Sequence, residues 1–126
     1  MTKITWRGET LSQLVLGTVQ IGLPYGVANT SGLPSDETIH SMIKTAWERG
    51  VRVLDTAQAY GKSESRLGQT LSDLNMMDKF KLISKLSPEL NPMDSEAIQL
   101  SVKDSCSRLN TDQLWGLRSE EHTSEL

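Results

Sequence analysis

The sequence is short of the residues on which metal, redox and membrane chemistry are built. It has one cysteine, Cys106, so no internal disulfide can form, and a reducing, cytoplasmic setting is the expectation. Its two histidines, His40 and His122, stand apart from any cysteine or acidic cluster at ligand spacing, which predicts no metal site. No apolar run is long enough to cross a bilayer, and residues 1–7 lack the apolar core of a signal peptide. Neither insertion into a membrane nor export is therefore expected. Positive charge is scarce too: 13 Lys and Arg stand against 16 Asp and Glu, with no basic run or basic helix face. Nucleic acid is not an expected partner of such a surface. What is left is a mildly acidic chain of 126 residues, net charge −3, long enough for one domain with a real core.

What is present is a rhythm. Residues 4–6 and 11–14 flank Gly8-Glu9, the pattern of a short hairpin. Leu14-Val15-Leu16 runs on as an apolar strand that ends at Gly17-Thr18. Residues 19–34 carry Gly22, Pro24, Gly26, Gly32 and Pro34 and read as a long loop, with Gln20 and Tyr25 as candidate substrate contacts. Ser35 is a good N-cap, and Asp36 and Glu37 suit the first turn of a helix. Ile39, Met42, Ile43, Ala46 and Trp47 give that helix one apolar face, which leaves His40 at the surface. A buried strand follows at residues 51–54, and a helix opens at Ser63-Glu64 with Leu67, Leu71 and Leu74 as its core face. Gly68 in that helix suggests close approach to a strand, and Met76 and Met77 read as loop or edge residues. Residues 80–83 form a third strand ending at Ser84-Lys85. Asp94 or Ser95 caps a third helix, and residues 113–117 begin a fourth strand. Strand, helix, strand, repeated at intervals of roughly thirty residues, is the signature of βαβ units on a parallel sheet.

The polar residues gather where these strands end. Thr18 follows the first strand, Asp55 ends the second and Lys85 ends the third, with Tyr60 on the loop after Asp55. In a closed parallel barrel all would face one mouth, where such folds keep their chemistry. A Lys ammonium beside a phenol favours the phenolate, and a carboxylate beside the Lys fixes the cation; together they ready a phenol to give up a proton. The plainer alternative is an Asp–Lys ion pair that ties two strands. Two nucleotide signatures fail. The run from Gly17 to Gly22 has the wrong spacing for a dinucleotide fingerprint. Gly61-Lys62-Ser63 resembles the end of a P-loop, but Thr56 stands where its first glycine belongs.

The run Asp55-Thr56-Ala57-Gln58-Ala59-Tyr60-Gly61-Lys62-Ser63-Glu64-Ser65-Arg66-Leu67-Gly68, read as D-T-A-x-x-Y-G-x-S-E-x-x-L-G, resembles the aldo-keto reductases. Leu16-Gly17-Thr18 and Ile83-Ser84-Lys85 match in place and order. The resemblance implies an α/β fold, namely the N-terminal portion of a (β/α)8 TIM barrel: a hairpin followed by strand, helix, strand, helix, strand, helix and strand. It implies reduction of an aldehyde or ketone, a small-molecule carbonyl substrate, by NADPH, with NADH not excluded. It makes Tyr60 the general acid, Lys85 its activating cation and Asp55 the partner of Lys85. Gly17, Thr18 and Asp55 would lie against the cofactor. Leu14, Leu16, Val53 and Ile83 are expected to face the barrel interior. Two departures stand out. No His occupies the end of the fourth strand, where the family has its fourth catalytic residue, and strands five to eight are absent. Residues 118–126, RSEEHTSEL, resemble the translation of a sequencing adapter. The expectation is an incomplete reductase barrel over residues 1–117, a non-native disordered tail over 118–126, and no activity in this truncated chain. The alternative is a cofactor-binding regulatory protein on the same barrel with little turnover.

Overall fold

The computed structural model describes residues 3–6, 9–12, 14–23 and 32–119. Strands β1 (Lys3–Trp6) and β2 (Glu9–Ser12) form an antiparallel hairpin with Lys3 opposite Ser12 and Trp6 opposite Glu9. Four parallel strands make the main sheet: β3 (Val15–Gly17), β4 (Val53–Asp55), β5 (Lys81–Lys85) and β6 (Gly116–Arg118). They lie side by side in chain order, β3-β4-β5-β6. Helices α1 (Val19–Gly22) and α2 (Asp36–Glu48) connect β3 to β4, while α3 (Ser63–Asp73) and α4 (Ser95–Leu109) make the next two crossovers. This is the parallel βα arrangement that the strand spacing predicts.

The helices form where their ends are chemically satisfied. Ser35 accepts a hydrogen bond from Thr38 N at 3.2 Å, and Asp94 accepts one from Ala97 N at 3.1 Å, so each closes an open first turn. The apolar face of α2 then buries Ile39, Ile43 and Ala46. Beside it the Trp47 ring meets Phe80 edge-on, 5.5 Å between centroids, and carries the Arg52 guanidinium at 3.5 Å. The core lies between the sheet and the helices, with Leu54 and Leu82 from the strands against Ile39, Ile43, Leu67, Leu71 and Leu109. Leu67 is fully buried. Leu67→Ala should therefore cost about 2–5 kcal/mol of folding stability, the range for a large-to-small change at a closed site, read as a lowered urea midpoint. A midpoint equal to that of the parent would show that this core is not formed.

Several expectations are corrected. Leu16 pairs in register with Leu54 and packs against the helix-side core, so it does not share a face with Val53 and Ile83. The cause is the two-residue period of a strand, which sends neighbours to opposite faces. Gly68 approaches α4, not a strand: a Cβ there would collide with Arg108 O and come within 2.7 Å of Leu109 Cα. Met76 and Met77 are loop residues, as expected, and lie half-buried against the core. The piece read as one long loop begins with α1; residues 24–31, with Tyr25, lie outside the described residues. The fourth strand sits at Gly116–Arg118, later than residues 113–117, and Arg118 is not part of an unpaired tail. Arg118 is opposite Lys85, and its carbonyl accepts from Leu86 N at 2.9 Å. The carboxyl end of β5 carries backbone groups that need partners, and Arg118 supplies them. Residues 120–126, with His122, lie outside the described residues.

Candidate active site

The register brings the chemistry-bearing residues to one end of the sheet. Gly17, Asp55 and Ile83 are opposite one another, and Ile83 is opposite Gly116. Lys85, two residues past Ile83, shares the face of Asp55 because strand side chains alternate. The ladder continues beyond the strands: Thr18 N donates to Asp55 O at 3.0 Å, Thr56 N to Ile83 O at 2.8 Å and Gln58 N to Lys85 O at 3.0 Å. The loop after Asp55 is thereby held against the end of β5, and the Lys85 Nζ comes to 5.6 Å from the centre of the Tyr60 ring. That separation is within the range of attraction between a cation and an aromatic face.

Asp55 receives the planar fork of Arg118, Nε to Oδ1 at 3.1 Å and Nη2 to Oδ2 at 2.9 Å. Paired hydrogen bonds of this kind are among the stronger polar contacts a carboxylate makes. Arg118 thus reaches the Asp55 carboxylate, although the sequence marks it only as the first residue of a polar tail. Gly17 is exposed and has open space where a Cβ would stand, beside the partly exposed Asp55 carboxylate. These two leave open space on that face of the sheet. Thr18 does not, because it is buried and its hydroxyl donates to Asp55 O at 2.9 Å and lies 3.0 Å from Ser63 Oγ. Its side chain ties β3 to β4 and α3, and Thr56 joins the same buried group through Ser63 Oγ at 2.8 Å.

The position of Tyr60 is fixed from behind. Ser63 N donates to Tyr60 O at 3.0 Å, and Gly61 turns the chain at φ +56°. A Cβ on Gly22, the last residue of α1, would collide with Tyr60 O and come within 2.6 Å of Ser63 N. Gly61 would in turn strike Gly22 O if it carried a side chain. Arg66 staples the same corner, donating to Ile21 O at 2.9 Å, Pro34 O at 2.7 Å and Asp36 Oδ1 at 2.9 Å. Gln58, an unspecified position of the motif, ties the loop to α4 and to the segment after β5: its Nε2 donates to Ser105 Oγ at 2.9 Å and its Oε1 accepts from Ser87 N at 2.7 Å.

Other candidates fall away. Burial, then the charges of Glu64 and Asp112, push the Cys106 thiol up, which keeps it from being a ready nucleophile. Among the described residues no group of histidine, cysteine and acidic side chains could hold a metal ion, and no helix is long and apolar enough to cross a membrane. A cavity of about 790 Å³ lies around the amino ends of β5 and β6, lined by Lys81, Leu82 and Trp115, away from Tyr60. A cavity of about 380 Å³ borders the site instead, between Leu86, Pro88, Ile98, Leu117 and Arg118.

A parallel sheet with helices between its strands, and an acid, a phenol and a cation at its carboxyl ends, is an α/β arrangement of the class that gathers its chemistry at the strand ends. The comparisons with known proteins narrow that class. Residues 13–115 match the Aldo/keto reductase family, and the chain belongs to it, a family of oxidoreductases. D-arabinose 1-dehydrogenase of Saccharomyces cerevisiae is 30% identical over 112 residues, covering 83% of this chain and 32% of that protein. An aldo-keto reductase of Pseudomonas aeruginosa superposes with a TM-score of 0.79 at 31% identity, over 93% of this chain and 46% of that one. An aldo-keto reductase of Bombyx mori, crystallised with NADP, shares the fold at a TM-score of 0.66 and 23% identity, over 90% of this chain and 36% of that one. The chain thus spans from 32% to 46% of the length of these relatives.

Proposed function

We propose that residues 1–117 supply the hairpin, the first three βα units and the fourth strand of an NAD(P)H-dependent reductase of small aldehydes or ketones. The observation that carries this reading is the Lys85 ammonium 5.6 Å from the Tyr60 ring, on the sheet end that also holds Asp55. Tyr60 is the general acid that protonates the carbonyl oxygen. Lys85 steadies the negative charge left on the phenol oxygen. Asp55 and Gly17 border the open face on which a nicotinamide and its ribose would lie, and NADPH is the form proposed because the silkworm relative was solved with NADP. The cofactor, when bound, supplies the hydride; the protein places the carbonyl and supplies the proton. A second reading is a cofactor-binding protein on the same barrel with little turnover.

The test is oxidation of NADPH by a small aldehyde, catalysed by the full-length protein that carries this segment. Lys85→Met should lower kcat. The 126-residue chain alone should bind cofactor poorly and show no turnover. Cofactor binding without reduction in the full-length protein would favour the second reading, and the absence of both would sink the first.

A further inference from the structure

Glu64 is a buried carboxylate, a costly thing to keep in a folded core unless both of its oxygens are engaged. Both are. Oε2 accepts the Ser84 hydroxyl at 2.6 Å, and Oε1 accepts Arg108 Nε at 2.7 Å. The first turn of α3 adds the favourable end of the helix dipole. One side chain therefore joins three elements: the helix that follows Tyr60, the strand that carries Lys85, and α4, which packs on α3.

We propose that Glu64 is a positioning residue for the Tyr60–Lys85 pair, a role that rests on the reading of those two as the reacting groups. The geometry runs through Ser84. Ser84 is fully buried, and its bond to Glu64 fixes the pleat of β5 one residue before Lys85. With Ser84 held toward the helices, Lys85 must project to the opposite face. Glu64 lies four residues after Tyr60, beyond the fixed turn at Gly61. The same carboxylate thus sets the register of the cation-bearing strand against the phenol-bearing loop. A clamp for helix packing alone would need Arg108; the bond to Ser84 is what ties it to the site.

The experiment reads geometry, not turnover, so its outcome is separable from that of the catalytic reading. In the 126-residue chain with Tyr25→Phe, Tyr60 is the only tyrosine, and its labelled ring carbon and its nuclear Overhauser effect to the Lys85 side chain report on the pair. Lys85→Met defines the resonance of an unaccompanied ring. Glu64→Leu and Ser84→Ala should both lose the Overhauser effect and shift the Tyr60 resonance toward that value. Glu64→Gln, whose amide can still bond Ser84 in either orientation, should retain the parental signals. Parental signals in folded Ser84→Ala or Glu64→Leu overturn the proposal, as does their loss in Glu64→Gln. Absence of the Overhauser effect from the parent overturns it too, and unfolding of both Ser84→Ala and Glu64→Leu would reveal a purely structural clamp. Should Glu64→Leu alone unfold, Ser84→Ala decides.

Discussion

Tyr60→Phe, made in the full-length protein, is expected to reduce kcat by about 10²–10⁴-fold, the usual worth of a positioned general acid, while NADPH binding stays close to that of the parent. The substitution deletes one oxygen and keeps the ring. The ring is half-buried over Lys85, so packing around it is conserved and the loss falls on proton transfer. Cofactor titration by fluorescence and steady-state kinetics separate the two effects. Turnover within a few-fold of the parent would mean that another group delivers the proton.

Gly22→Ala should have the second largest effect, this time on stability. The added methyl would meet Tyr60 O, Ser63 N at 2.6 Å and Ser63 Cβ at 2.8 Å. Two of these atoms are backbone, and the third is fixed by the buried hydroxyl cluster around Ser63, so no side chain can swing aside. Overpacking typically costs about 1–3 kcal/mol and more where backbone must move. The displacement would be passed to the carbonyl of Tyr60, so kcat in the full-length protein should fall as well. Gly17→Ala is the control for stability, because nothing lies within 4 Å of the position its Cβ would take. Equal urea midpoints for the two alanine variants would refute the close contact of α1 with the Tyr60 loop.

The order of elements was legible because it depends on local chemistry. Ser35 and Asp94 announce helix starts by side chains that satisfy open N–H groups, and Val53-Leu54 announces a strand by composition. The motif around Tyr60 was legible because it is dense in specific residues. The missing parts depend on contacts between segments distant in the chain. Leu16 was placed on the wrong face because a three-residue strand carries too few alternations to fix its parity. Arg118 was assigned to a tail because its role arises from Asp55, sixty-three positions earlier. Gly22 looked like a loop glycine; only the packed corner shows the carbonyl that excludes a side chain there. The sequence shows Glu64 only as one of two residues that open a helix, while its burial between Ser84 and Arg108 emerges once three elements are assembled.

The coincidence of strand order with chain order has a kinetic consequence. Each strand of the main sheet pairs with the one before it, and no strand waits for a partner to be inserted between two existing neighbours. Loop closure therefore involves one βα unit at a time, a short search compared with joining distant ends. On a ribosome, where the amino-terminal part of a chain emerges first, β4 can dock on β3 before β5 has been made. The Tyr60 loop would then find its backing in α1 already in place. The Tyr60 corner would be assembled from its oldest pieces, with Lys85 arriving after them.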